Sequence, residues 1–90
     1  MWIFLNDRFV PEQDAKISVF DHGFLYGDGV YETIRSYGKR IFMRDHHLSR
    51  LHRSAGAIGL TIPVPPSEWP SLLHEAMDRN QLGNEQTDAY

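Results

Sequence analysis

The spacing of apolar residues changes near position 45, and this change constrains the fold more than any other feature of the chain. Upstream, the apolar runs are short and strand-like. Trp2 to Leu5, the turn residues Asn6-Asp7 and then Arg8 to Val10 predict a small hairpin. Pro11 to Lys16 is polar and reads as a loop, and Ile17 to Phe20 as another short extended piece. Val30 to Tyr37 alternates with period two, and Gly38-Lys39 suits a hairpin turn into Arg40 to Met43. Downstream, Leu48, Leu51, Ala55 and Ile58 recur at three- and four-residue steps, the spacing of a helix with one buried stripe. Asp45 is its expected N-cap and Gly59 its stop. Thr61 to Pro66 holds three prolines and must be extended. Ser67 is the expected cap of a second helix, with Pro70 in its first turn. Its apolar face is Trp69, Leu72, Leu73, Ala76 and Met77, and Gly83 is its expected C-cap. Short strands followed by two helices predict an α+β fold, a small antiparallel sheet with two amphipathic helices packed on one side.

Ninety residues make at most one small, marginally stable domain. The last residues, Thr87 to Tyr90, read as a strand just starting, so the chain is expected to be part of a longer protein. With no cysteine, disulfides and thiolate metal sites are impossible. His46, His47 and His52 lack the four-residue spacing that puts two ligands on one helical face, so no metal is expected. The apolar start ends at Asn6-Asp7, too early for a signal peptide or a membrane span. A cytoplasmic protein with no membrane partner is expected. The net charge of -3 weighs against general nucleic-acid binding.

Three constellations could carry chemistry. Gly27-Asp28-Gly29 lacks the third glycine of a dinucleotide loop and precedes a strand pattern, so it reads as a tight turn. In the alternating stretch, Tyr31, Thr33, Arg35 and Tyr37 share one face and Val30, Glu32, Ile34 and Ser36 the other. Two phenols, a hydroxyl and a guanidinium suit either the floor of a polar cleft or a solvent-facing sheet. Between positions 35 and 53, Arg35, Lys39, Arg40, Arg44, Arg50 and Arg53 face only Asp45. That run is either a solvated basic face or a site for phosphate or carboxylate. Arg50 and Arg53 both fall off the apolar stripe, where arginine is most often a surface charge.

The order and spacing of Asp21-His22-Gly23, Tyr26-Gly27-Asp28-Gly29-Val30-Tyr31-Glu32, Ile34-Arg35 and His47-xx-Arg50-Leu51-xx-Ser54-Ala55 add a further reading. Over residues 17–60, and more weakly over the rest, the chain resembles the class IV aminotransferases, the fold type IV pyridoxal-phosphate enzymes. These include branched-chain and D-amino-acid aminotransferases and aminodeoxychorismate lyase. The resemblance implies that Arg50 binds the phosphate of pyridoxal 5'-phosphate, and it leaves Arg53 facing solvent. It also implies that Tyr31, Thr33 and Arg35 line the substrate pocket and that Tyr26 reaches a pocket across a homodimer interface. Branched-chain enzymes carry Phe-Glu-Gly-Ile-Arg where this chain has Tyr31-Glu32-Thr33-Ile34-Arg35. Tyr31 is similar to the D-amino-acid enzymes and Arg35 to the branched-chain ones.

The family's Schiff-base lysine and the acidic partner of the pyridine nitrogen lie downstream of the matched region. Lys16 and Lys39 are the only lysines here, and neither sits in the matching context. By this resemblance, residues 1–90 are the small N-terminal domain, cut off before the cofactor and lysine domain and inactive alone. The full-length enzyme would move an amino group from a branched-chain or D-amino acid to a 2-oxo acid. The alternatives are an aminodeoxychorismate-type lyase and a stand-alone, non-catalytic binding module.

Overall fold

A computed structural model of the chain describes residues 1–83. The expected strand start at Thr87 to Tyr90 lies outside them.

β1 (Trp2–Leu5) and β2 (Arg8–Pro11) form the expected antiparallel hairpin, with Leu5 opposite Arg8. Asn6 sits at the tip with φ 62°, a left-handed conformation that asparagine tolerates better than most residues. Phe4 and Phe9 face each other across the pair and meet edge-on at 5.2 Å.

Residues 17–20 are not a strand. The Asp21 N–H donates to the Ser18 carbonyl (3.1 Å) and the Phe20 N–H to Ser18 Oγ (3.0 Å), so local bonds replace a ladder. The next stretch, expected only to turn, winds into the short helix α1 (His22–Tyr26). Asp21 caps it, its carboxylate accepting from the Gly23 N–H at 2.9 Å.

Of the alternating stretch, only the end is a strand. β3 (Ser36–Tyr37) pairs antiparallel with β4 (Arg40–Ile41) around the expected Gly38-Lys39 turn. The α+β class therefore stands, with its sheet divided into two hairpins.

α2 (Arg44–Ala57) starts one residue before Asp45, because Met43 turns left-handed (φ 52°) and swings the chain out of β4. Asp45 thus lies inside the first turn. It does not cap the helix but accepts from Arg44 Nε at 3.2 Å. Gly59 ends α2 as expected. At φ 72° it lets the Leu60 N–H reach the Ala55 carbonyl (2.8 Å) and its own N–H the Gly56 carbonyl (3.2 Å). Of the α2 stripe, Ala55 is buried, Leu48 and Leu51 are half-buried, and Ile58 is exposed.

α3 (Trp69–Arg79) follows a 3₁₀ turn over Pro66–Glu68 that takes in Ser67, so no side chain caps the helix. Its expected apolar face is the inward one, with Met77 buried. Gln81, at φ 57°, ends it, with the Leu82 N–H on the Met77 carbonyl at 2.8 Å. Gly83 is therefore not the cap. It is buried where a Cβ would strike the Gly38 carbonyl and the Met77 side chain, so it permits the close approach of α3 to the β3–β4 turn.

The core is thin. Among the described residues, Ala55, Met77 and Ser36 are buried, at 1%, 9% and 4% exposure, together with Gly83. Polar and aromatic clasps tie the elements together. Trp69 Nε1 donates to His52 Nε2 (3.2 Å), joining α3 to α2, and Asn80 grips the backbone of Trp2. The Arg79 guanidinium lies 4.5 Å from the Phe9 ring centre. Ile17, Val19, Phe20, Phe24 and Leu25 remain exposed. Among the described residues no helix is long and apolar enough to cross a membrane.

Candidate anion-binding site

The irregular segment ahead of β3 and the helix α2 meet at one carboxylate. Glu32 comes from the unpaired stretch ahead of β3, and His47 and Arg50 lie one turn apart on α2. Arg50 Nε donates to Glu32 Oε2 at 2.8 Å and Arg50 Nη2 to Glu32 Oε1 at 2.7 Å, a paired fork-on-carboxylate bond. Glu32 Oε1 also lies 2.6 Å from His47 Nδ1. A carboxylate only accepts, so His47 carries its proton on Nδ1 and donates.

The Glu32 side chain is only 10% exposed. Hydrogen bonds first from Arg50 and then from His47 hold its carboxyl at about 2, well below the usual range, against the opposing effect of burial. The same bond raises Arg50 above its ordinary value. Glu32 is thus ionised at any ordinary pH and fixes the plane of the guanidinium.

That grip uses one edge of the fork. Among the described residues no hydrogen bond reaches Nη1, and Arg50 is itself exposed. Arg50 lines a hollow of about 330 Å³ together with Met43, His46, His47 and Arg53. Arg53 is exposed, as expected, and lines the same concavity as Arg50. Two guanidinium side chains lining a hollow with no carboxylate among its described lining residues fit a phosphate group. Lys16 and Lys39 are not among the residues around it.

The other expected site residues lie elsewhere. Tyr31 is 85% exposed, and Tyr26 and Thr33 are exposed too, with the His22 ring set edge-on against Tyr26. Arg35 is half-buried, its guanidinium 5.0 Å from the Tyr37 ring centre. It lines a second cavity of about 340 Å³ with Glu32, Ile34 and Ser36 against α3. The alternation survives in part: Glu32, Ile34 and Ser36 face inward and Tyr31, Thr33 and Tyr37 outward, but Arg35, expected on the outward face, is half-buried and lines the inner cavity. Arg50 joins the Glu32 side. Among the described residues no hydrogen bond or ion pair links it to Tyr26, Tyr31 or Thr33.

Sequence reasoning passed over Glu32 and His47. The available signal was a carboxylate on the same face as Ile34 and Ser36, since a half-buried carboxylate demands cationic or N–H partners.

The model of the amino-transferase class IV family matches residues 29–90. Across all 90 residues the chain is 47% identical to a putative branched-chain-amino-acid aminotransferase of Methanocaldococcus jannaschii, 30% of whose length it covers. It is 39% identical over 82 residues to a D-alanine aminotransferase of Staphylococcus epidermidis, 91% of this chain and 29% of that protein. The figure is 41% over 80 residues for the D-alanine aminotransferase of Staphylococcus aureus (strain N315), 89% of this chain and 28% of that one. The chain thus spans about 30% of the length of these relatives. The family match takes in Glu32, His47 and Arg50 together, and with that span and those identities the chain belongs to the class IV aminotransferases.

Proposed function

We propose that residues 1–90 form the N-terminal domain of a pyridoxal-phosphate aminotransferase, and that Arg50 grips the cofactor's phosphate. The observation that carries this reading is a guanidinium held along one edge by Glu32, with no bond to Nη1 among the described residues, on a residue that lines a basic hollow. An arginine fixed in plane before the anion arrives loses little freedom on binding it. Pyridoxal phosphate, when bound, supplies the electron sink that lets an amino group pass from an amino acid to a 2-oxo acid.

The chain's own residues bind and orient. Arg50 anchors the phosphate and Glu32 and His47 position Arg50. Tyr31 and Thr33 offer hydroxyls on the open side of the same segment, Arg35 turns to the cavity shared with Glu32, and all three contribute to the substrate pocket. The exposed apolar run through Phe20, Phe24 and Leu25 is the surface on which a second copy packs, with Tyr26 reaching across. The names of the relatives point to a branched-chain amino acid or D-alanine as the amino donor. The lysine that takes part in the chemistry is neither Lys16 nor Lys39.

The test uses the protein expressed from its complete coding sequence. Amino transfer to 2-oxoglutarate is assayed with L-leucine and with D-alanine, and pyridoxal phosphate binding is measured by calorimetry. One of the two donors should react, and Arg50→Ala should weaken pyridoxal phosphate at least about tenfold, as expected for a lost charge-assisted contact. No transfer with either donor, or unchanged cofactor affinity in Arg50→Ala, would refute the proposal.

A further inference from the structure

The charge balance around Arg50 points to a second phosphate contact. Glu32 already neutralises Arg50, so the pair alone brings little net positive charge to a dianion. A phosphate monoester carries nearly two negative charges at neutral pH and needs another cation close by. Among the described residues, Arg53 is the other guanidinium lining the hollow. It lies one turn beyond Arg50 on α2 and is exposed, and among the described residues no carboxylate pairs with it. The nearby Asp45 accepts from Arg44 and is not part of the lining. Two guanidinium groups three residues apart on one helix repel each other unless an anion lies between them.

We propose that Arg53 is a second phosphate-binding residue, so that the hollow takes a phosphate monoester dianion between the Nη1 edge of Arg50 and the fork of Arg53. The inference rests on the cofactor reading above and extends it to a residue that the family resemblance leaves facing solvent. His46, four residues before Arg50 and seven before Arg53, closes the same face of the helix.

The protein from the complete coding sequence is titrated by calorimetry with pyridoxal phosphate, with phosphate-free pyridoxal and with inorganic phosphate, at constant ionic strength. Arg53→Ala should weaken pyridoxal phosphate and inorganic phosphate by about tenfold and leave pyridoxal unchanged. Arg53→Lys should recover part of the loss, because it keeps the charge and gives up the fork. Alanine favours helix at this exposed position, and circular dichroism confirms that the variant is folded. Pyridoxal phosphate binding within twofold of the parent in Arg53→Ala, with binding lost in Arg50→Ala, would overturn the inference and leave the cofactor reading intact. Equal weakening of pyridoxal and pyridoxal phosphate would also overturn it, because Arg53 would then act through the fold. Unchanged binding in both variants would remove both readings.

Discussion

Replacing Asn80 should loosen the whole N-terminal hairpin from α3. Trp2 lies opposite Pro11, and the Glu12 N–H bonds to the Met1 carbonyl at 2.8 Å. In that antiparallel register the N–H and C=O of Trp2 point away from β2, to the open edge of the hairpin. The Asn80 amide meets both, as a neighbouring strand would. Its Oδ1 accepts from the Trp2 N–H at 2.7 Å, and its Nδ2 donates to the Trp2 carbonyl at 2.9 Å and to the Ala76 carbonyl at 2.8 Å. Asn80→Ala removes all three bonds. At about 1 kcal/mol each they amount to about 3 kcal/mol, and water entering this half-buried site reduces the cost to about 2 kcal/mol. For a domain of this size that is a fall in Tm of roughly 8–16 °C, read by circular dichroism and tryptophan fluorescence. Asn80→Asp is the sharper control. It keeps the acceptor for the Trp2 N–H but turns lone pairs toward two carbonyls, so at neutral pH it should cost at least as much as alanine. Part of the loss should return in acid, when the carboxyl regains a proton to donate. A melt of Asn80→Ala within about 2 °C of the parent would refute this account of the clasp.

Two other perturbations test the local geometry. The folded-state value of Glu32 is depressed from 4.5 to about 2, so the Arg50 and His47 bonds stabilise the fold fully above pH 4.5. That contribution fades as the pH falls toward 2, and urea midpoints of Glu32→Gln and the parent should differ most near neutrality and converge in acid; a gap independent of pH would count against the pairing. Gly59→Ala should cost only the left-handed backbone strain, about 1–2 kcal/mol, because its Cβ would meet open space, whereas Gly83→Ala should cost more by driving a Cβ into the Gly38 backbone. Equal urea midpoints for the two variants would show that the close packing at Gly83 is not needed.

Both hairpins, α2 and α3 were legible because each rests on signals a few residues apart. The Asn6-Asp7 and Gly38-Lys39 turns, the Gly59 stop and the three- and four-residue spacing on α3 all act locally. The misplaced boundaries share a cause. Asp45 and Ser67 have the chemistry of N-caps, but a left-handed Met43 and a 3₁₀ turn at Pro66–Glu68 start the helices elsewhere. In each case the preceding chain's direction overrides residue preference. The period-two reading of residues 30–37 found the faces of every residue but Arg35, and found the wrong structure. Alternation records which side is covered, not whether a neighbouring strand is present to complete a ladder.

The sequence by itself determined the α+β class and the two amphipathic helices, and its family motifs singled out Arg50 as the residue to examine. Only the tertiary structure decided what Arg50 touches. Glu32 lies 18 residues away along the chain, and Asn80 grips Trp2 across 78. Such separations leave no periodic trace, because a salt bridge or an amide clasp needs a single residue at each end rather than a repeating pattern. The same holds for the hollow shared by Arg50 and Arg53: a helical wheel places both off the apolar stripe, and only the packing around α2 distinguishes a concave basic face from a solvated one.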